Sequence, residues 1–201
     1  MIGGAAWLLL NYFRNRKNPA LAQASAAGGT SAAPSDILNR YRQTLAGGGT
    51  GSSEPVLTIG PKDYDDFERL LADIQSAYGR EDTDKLGAMT TPEMFSYFSQ
   101  DLADNVRKGV RNETSGAKLL QGDLAESWTE AGSDYATVAM RYALVDAVVD
   151  RNSGRLISGN RDTAEEVTEI WTFRREHRDL AQGWQLSAIQ QTADERAQRA
   201  S

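Results

Sequence analysis

The sequence predicts an α+β fold in which N-terminal helices pack on a curved antiparallel sheet. Between residues 61 and 111, apolar residues recur every three or four positions, as they do on one face of a helix. After Gly116 the period becomes two, and turn sequences separate the alternating runs. Helices followed by hairpin-connected strands are typical of segregated α+β domains. Because one predicted strand is long, we expect the sheet to curl around the helices into a cone with a concave pocket.

The first two predicted helices begin the folded region. The first starts near Pro61, with Asp63 as its expected N-cap. Its apolar face comprises Phe67, Leu70, Leu71, Ile74 and Tyr78. A second, short helix is predicted from Asp84 to Met89.

A strong start signal precedes the third helix. Thr90 is the expected N-cap, Pro92 follows in the first turn, and Glu93 completes a Thr-x-x-Glu capping box. The helix is predicted to continue to about Arg111. Its apolar stripe comprises Phe95, Phe98, Leu102, Val106 and Val110.

Four strands are predicted in the second half of the chain. They cover residues 120–130, 135–150, 164–174 and 184–191. Turns are predicted at residues 132–134 and 152–154. One face of the second strand carries Ala136, Val138, Met140, Tyr142 and Leu144, and the third strand adds Val167, Trp171 and Phe173.

The composition divides the chain into four segments. We expect a membrane anchor at residues 1–17, a Gly/Ala/Ser-rich flexible linker at 18–60, the folded domain at 61–192 and a disordered tail at 193–201. Within the linker, residues 35–45 form a marginal amphipathic helix. This helix is either plain linker or a docking element that orders on a partner or membrane.

The N-terminal apolar run has three interpretations. Its anchor residues are Trp7, Leu8, Leu9, Leu10, Tyr12 and Phe13. About 13 apolar residues are fewer than the roughly 20 that cross a bilayer. We therefore interpret the run as the end of a transmembrane helix whose beginning is missing, followed by a basic cytoplasmic flank. The alternatives are a signal-peptide core and a buried helix.

Composition excludes several classes of function. The net charge of −6 argues against nucleic-acid binding. Since the chain has no cysteine, it has no disulfide, thiolate metal site or cysteine nucleophile. His177 is the sole histidine and is expected in a solvated hairpin loop, which excludes a two-histidine metal site. Glu165 and Glu166 are adjacent on a strand, so they point to opposite faces and cannot act as a catalytic pair on one substrate.

No catalytic residues, metal ligands or cofactor-binding residues are therefore predicted, and we expect a non-enzymatic protein. Asp63, Asp65 and Asp66 are interpreted as carboxylates that favour a helix N-terminus. One enzymatic alternative stays open, in which a small-molecule-binding or proton-transfer enzyme uses a buried carboxylate inside the cone. Its available residues are Tyr97, Tyr142, Asp146 and Glu169.

Two residue sets are candidates for binding. The basic set is Arg107, Lys108, Arg111 and Lys118. It either stabilises a helix C-terminus or contacts anionic lipid headgroups. The aromatic set is Phe98, Tyr142, Trp171 and Phe173. It either belongs to the core or lines a pocket for an acyl chain or apolar peptide.

Six stretches resemble bacterial members of the Tim44-like family, especially those of alphaproteobacteria. The stretches are residues 63–78, 91–98, 118–124, 134–142, 166–173 and 184–191. They occur in the family's order, so that the resemblance covers about residues 57 to 192. The short apolar leader is the one departure from the usual bacterial layout.

The resemblance implies a cone-like fold of the nuclear-transport-factor-two, or cystatin-like, type with an apolar pocket. It also implies affinity for anionic, cardiolipin-like membrane lipid and no catalytic residue set. Mitochondrial members tether a chaperone motor to the inner-membrane translocase, which suggests a partner in protein transport or membrane-protein assembly. Chaperone binding is not carried over, because the linker has no counterpart of the chaperone-binding region. We expect a single-pass protein of the bacterial inner membrane with its domain on the cytoplasmic side.

Overall fold

The computed structural model describes residues 57–178 and 180–191. The predicted anchor, the helix at residues 35–45, the rest of the linker before residue 57 and the C-terminal tail lie outside the described residues. In the part that is described, no helix is both long and apolar enough to cross a membrane.

In the part of the chain that the structure describes, three helices precede four strands, in the order that the sequence predicted. The helices are α1 (Pro61–Gly79), α2 (Thr83–Met89) and α3 (Pro92–Arg107). The strands are β1 (Val110–Glu130), β2 (Ser133–Asp150), β3 (Leu156–Glu176) and β4 (Gln185–Gln191), with a short 3-10 helix at Leu180–Gln182. Each strand pairs antiparallel with the next, which gives one open sheet in the order β1-β2-β3-β4. The predicted fold class is confirmed.

The two predicted helix caps are each displaced. Gly60, not Asp63, precedes α1, and the Asp63 carboxylate accepts a hydrogen bond from the Gly60 N–H at 2.9 Å. Thr91, not Thr90, caps α3, because the hydroxyl of Thr91 accepts the Met94 N–H at 3.4 Å. Thr90 instead donates its hydroxyl to the preceding helix. Two adjacent threonines offer the same local signal, and only their backbone positions decide which one caps.

The boundary between α3 and β1 differs from the prediction. The helix ends at Arg107 instead of near Arg111, and β1 begins ten residues before the predicted start at residue 120. Val106 is 55% exposed and Val110 lies in β1, so neither continues the apolar stripe of the helix. Backbone pairing of residues 110–115 with the end of β2 overrides the helical spacing of the sequence. The third strand likewise begins eight residues before its predicted start.

The core lies between the helices and the inner face of the sheet. The predicted face of β2 is buried there, and its residues Ala136, Val138, Met140, Tyr142 and Leu144 are each at most 1% exposed. Phe67 of α1 stacks on Phe173 of β3 with ring centroids 4.4 Å apart. At the other end of α1, Gly79 lies so close to Thr114 that a Cβ atom would collide with the Thr114 backbone. The helix is therefore held against the sheet along its whole length.

The two strands that flank β2, namely β1 and β3, are both irregular. The pairing of β1 with β2 is shifted at three places. In β3, the four residues 161–164 lie opposite the single residue Val145, because Leu144 pairs with Glu165 whereas Asp146 pairs with Asn160. Such bulges bend a strand and increase its twist. We therefore expect β1 and β3 to bend at these places.

Candidate functional site

The four predicted pocket residues are all buried in one core cluster. Tyr142, Trp171 and Phe173 are neighbours, with the Trp171 centroid 6.3 Å from that of Tyr142 and 6.0 Å from that of Phe173. Phe98 belongs to α3 and packs instead against Tyr78, with ring centroids 5.7 Å apart. The structure thus places three of the four side chains together on the sheet and the fourth on a helix.

A buried carboxylate lies beside these aromatic residues. Glu169 is 3% exposed, and one of its oxygens, Oε2, accepts the Tyr142 hydroxyl at 2.7 Å and the Trp171 indole N–H at 2.9 Å. Gln75 of α1 donates its amide to the Tyr142 hydroxyl at 3.2 Å. Of the residues named for the enzymatic alternative, Tyr142 and Glu169 are therefore in direct contact. Asp146 is also buried but lies four residues, or about 13 Å, further along β2 than Tyr142.

A second buried network joins α1 to α3. The Tyr78 hydroxyl donates to Asp101 Oδ2 at 2.5 Å, and the Asn105 amide donates to the same oxygen at 3.1 Å. Burial raises the pKa of Asp101, although hydrogen bonds from Tyr78 and Asn105 and the charge of Lys108 act against it. Burial and the adjacent Asp101 raise the pKa of Tyr78, so its hydroxyl stays a donor. Sequence reasoning missed this network, although Asp101 and Asn105 are spaced by one helical turn.

The start of α1 is held by a cluster of charged groups, which we call the entry end. It comprises Asp63, Asp134, Arg175, His177 and Trp184. The Arg175 guanidinium donates to Asp63 at 2.7 Å and to Asp134 at 3.1 Å, and it lies 4.3 Å from the Trp184 ring centroid. The Trp184 indole N–H also donates to Asp63, at 2.8 Å. One arginine therefore joins the first turn of α1 to β2, β3 and the start of β4.

Both carboxylates of the entry end are held in the charged form. Burial alone would raise the pKa of Asp63, but hydrogen bonds from Trp184 and Gly60 and the charge of Arg175 outweigh it and lower that pKa. Burial likewise acts to raise the pKa of Asp134. Hydrogen bonds to it from Thr129, His177 and Arg175 prevail, and the pKa is lowered. These two groups are structural acceptors at neutral pH.

His177 is exposed, as predicted, but it is not simply solvated. Its side chain is 52% exposed, and its Nδ1 lies 2.6 Å from Oδ1 of Asp134, a carboxylate that is itself 2% exposed. The third strand was predicted to end at residue 174, but β3 continues to Glu176, so the loop that carries His177 begins later. Arg174 and Arg175 therefore lie in the strand. Pairing with the start of β2 extends β3 through this charged stretch, which local patterning alone could not show.

At the opposite end of the domain, three of the four predicted cations lie close together in the chain and in space. Arg107 and Lys108 end α3, and Arg111 lies near the start of β1; all three are exposed. Arg107 forms an ion pair with Asp104, and Arg111 forms one with Glu113. Lys118 is exposed but lies seven residues, or about 20 Å, further along β1.

The turn between β2 and β3 adds cations that sequence reasoning missed. The backbone N–H of Arg151 donates to the carbonyl of Gly109 at 2.9 Å, which places this turn beside the end of α3. The Arg151 side chain binds the carboxylate of Glu81 and donates to the Val110 carbonyl at 3.1 Å. Arg155 follows in the same turn and is exposed. We call Arg107, Lys108, Arg111, Arg151 and Arg155 together the turn end.

No group of three or more histidine, aspartate or glutamate side chains among residues 57–178 and 180–191 is arranged to hold a metal ion. The carboxylates of the entry end are instead each bound by arginine. At the turn end, Glu81, Asp104 and Glu113 are bound by arginine as well.

The sequence profile of the Tim44-like domain matches residues 58–191 of this chain. No curated protein matches the sequence. Among solved structures, a crystal structure of the intermembrane space region of the chloroplast protein ARC6 is similar, with a TM-score of 0.44 and 10% identity over 68% of this chain and 100% of that one. A periplasmic fragment of TraM is similar with a TM-score of 0.42 and 15% identity over 67% of this chain and 100% of that one.

Proposed function

This chain belongs to the Tim44-like domain family, and on that premise we propose that it is a membrane-tethered binding or scaffold domain whose turn end contacts anionic lipid. Tim44-like domains have in general a membrane-associated, non-enzymatic role. The finer proposal rests on one observation, namely that the linker enters the domain at one end while a compact group of exposed cations, Arg107, Lys108, Arg111 and Arg155, lies at the other.

The entry point of the linker is defined by contacts on both sides of Gly60. The Leu57 carbonyl accepts the Ser127 hydroxyl at 2.5 Å, near the far end of β1. Asp63, three residues into α1, is held by Arg175. From here α1 runs for 19 residues, or about 28 Å, towards the turn end. Glu81, just beyond that helix, binds Arg151 of the turn end.

The predicted linker is long enough for the far end of the domain to reach the membrane. Residues 18–60 number about 40, and a Gly-rich chain of that length spans roughly 35 Å on average. This distance exceeds the roughly 28 Å length of α1. A tether of this length holds the domain at high effective concentration near the bilayer, so that weak lipid contacts suffice for binding.

The chemistry of the turn end favours phosphate-bearing lipid. Lysine and arginine near an anionic leaflet each contribute about 1 kcal/mol, and arginine matches phosphate with paired N–H donors. The intramolecular pairs of Arg107 and Arg111 reduce this attraction without removing it, because both side chains keep large exposed fractions of 69% and 46%. We place the domain at the cytoplasmic side of a bacterial inner membrane. A membrane protein complex of transport or assembly is its second proposed partner.

The test is a charge reversal in the full-length chain. Arg107, Lys108 and Arg111 are changed to Glu, and partitioning onto anionic vesicles is compared with partitioning onto zwitterionic vesicles. The apolar leader contributes to both, so the ratio isolates the charge-dependent contact. We expect the ratio to fall about 10- to 100-fold at low salt, and less at high salt.

A matched control carries the same change of charge in the entry-end half of the domain. Lys62, Arg69 and Arg178 are exposed there and are changed to Glu. The control should keep most of the anionic preference. Equal losses in both variants, or an unchanged ratio in the first, would reject the turn end as the lipid contact.

A second candidate function follows from the buried contact of Glu169 with Tyr142. In this alternative the interior binds a small molecule or performs proton transfer with Glu169 as the base. Oε2 of Glu169 already accepts hydrogen bonds from Tyr142 and Trp171, which suits a structural acceptor. Native mass spectrometry of the full chain purified from membranes distinguishes the two. A co-purified small molecule that is lost in Glu169→Gln would favour the alternative.

A further inference from the structure

Leu156 and Ile157 form an exposed apolar pair at the start of β3. Each is 42% exposed. Among the residues that the structure describes, the other large exposed apolar side chains, Tyr64, Val106 and Leu120, stand singly in the sequence. Every residue from 156 to 166 except Ser158 is exposed, so side chains on both faces of this part of β3 reach solvent.

The apolar pair also coincides with a bulge in β3. Val149 of β2 pairs with Leu156 and Val148 pairs with Ser158, which leaves Ile157 as an extra residue. On its other side, β3 pairs with β4 only from Glu169 onwards. The apolar pair therefore lies on a part of β3 that no other described strand flanks on that side.

Three arginines lie near this pair: Arg111 and Arg155 of the turn end, and Arg161 in the next bulge of β3. Arg111 pairs with Val149, and Val149 pairs with Leu156, so Arg111 and Leu156 share one cross-strand row and lie about 10 Å apart. Arg155 directly precedes the pair in the sequence. Arg161 donates to the Gly154 carbonyl at 3.0 Å and forms an exposed ion pair with Glu113 at 3.0 Å.

Apolar side chains flanked by arginine match the boundary between headgroups and acyl chains. At that boundary, Leu and Ile leave water while guanidinium groups stay with the phosphates. An apolar groove of a protein would also take a Leu-Ile pair, but the surrounding arginines favour an anionic surface. Unlike an apolar protein groove, the bilayer would contact both the apolar pair and the arginines of this patch.

We propose that the turn between β2 and β3 inserts into the membrane, with Leu156 and Ile157 among the lipid headgroups and Arg111, Arg155 and Arg161 on their phosphates. This inference rests on the proposed function, since it adds an apolar contact to the charged one. It also fixes the orientation of the domain, with the entry end facing away from the bilayer.

The absence of cysteine allows a site-specific test in the full-length chain. Ile157, Leu120 and Tyr64 are replaced singly by cysteine and labelled with a polarity-sensitive fluorophore. The three positions are 42%, 40% and 39% exposed, so they are matched in solution. Vesicles contain either phosphatidylcholine alone or a mixture with phosphatidylglycerol.

We expect a blue shift and a several-fold increase in emission at Ile157→Cys with anionic vesicles, together with quenching by a lipid-attached quencher. Leu120→Cys and Tyr64→Cys should change little. As a second readout, Leu156→Ser with Ile157→Ser should lower partitioning onto anionic vesicles by about 10-fold relative to Leu120→Ser.

The outcomes separate this inference from the proposed function. An unchanged probe at Ile157→Cys, in a chain whose anionic preference still depends on Arg107, Lys108 and Arg111, overturns insertion alone. Similar responses at all three positions indicate non-specific adsorption and also overturn it. A response confined to Tyr64→Cys would place the entry end at the bilayer and overturn both proposals.

Discussion

The two ends of the domain use charge in different ways. At the entry end, Asp134 is 2% exposed and Arg175 is 17% exposed, and together with Asp63 they form one connected network. At the turn end, Arg107 and Arg111 are exposed and pair with carboxylates that are near them in sequence. Buried pairs fix geometry because an unpartnered charge is costly there, whereas exposed pairs contribute little and exchange partners readily. The first end is suited to hold the fold, and the second is suited to bind.

The largest expected effect is the loss of Arg175. Arg175→Ala leaves the carboxylates of Asp63 and Asp134 without their shared cation, and we expect it to lower the free energy of unfolding by about 3 kcal/mol. The matched change is Arg161→Ala in the bulge of β3 near the turn end, which removes an exposed pair with Glu113 and should cost less than about 1 kcal/mol. Urea unfolding of both variants measures the difference. Similar losses would mean that the two ends do not differ as described.

A smaller effect tests whether the backbone near the turn end can adapt to an added Cβ atom. Gly159 has a φ of +80°, and a Cβ there would collide with the Asp146 carbonyl. Gly159→Ala should therefore lower stability by about 2 kcal/mol. Gly154 has a φ of +68° with open space around it, so Gly154→Ala should cost about 1 kcal/mol. Thermal unfolding of both variants measures the difference. Equal losses of stability would mean that the backbone near Gly159 adapts freely.

The smallest expected effect is in acid. The pKa values of Asp134 and Glu113 are lowered in the folded state, so the unfolded chain binds more protons below about pH 4. Their contribution to stability is present above the unfolded pKa and is lost as the pH falls through the folded pKa. Asp134→Asn should flatten the decline in stability between about pH 5 and about pH 2 more than Glu113→Gln, because Glu113 is more exposed and more screened. Urea unfolding across this range checks the order, and a steeper effect of Glu113→Gln would contradict it.

The elements that sequence patterning predicted well are those with a strong local period. The apolar face of α1 and the inner face of β2 each repeat with the spacing of their element, and both are buried as predicted. The predicted end of α3 was wrong because the same kind of pattern misled it. Val106 and Val110 continue a helical spacing beyond the end of the helix. The chain turns at Gly109, with a φ of +69°, and enters a strand that β2 stabilises.

The candidate sites were predicted in part. Arg107, Lys108 and Arg111 lie within five residues of one another, so their grouping needed only the sequence. Arg151 and Arg155 join them because β2 returns to the start of β1, which the sequence alone does not reveal. The pocket and lipid roles themselves stay predictions.

By itself, the sequence determined the order of helices and strands, the family and the spacing of the basic group, because these depend on residues close together along the chain. Tertiary structure alone decided which charges are buried. Arg175 meets Asp63 from 112 residues away and Asp134 from 41 residues away. Nothing local marks that arginine as different from Arg174 beside it. The free energy of a buried ion pair depends on where the folded chain excludes water, and that is a property of the packed sheet and helix together.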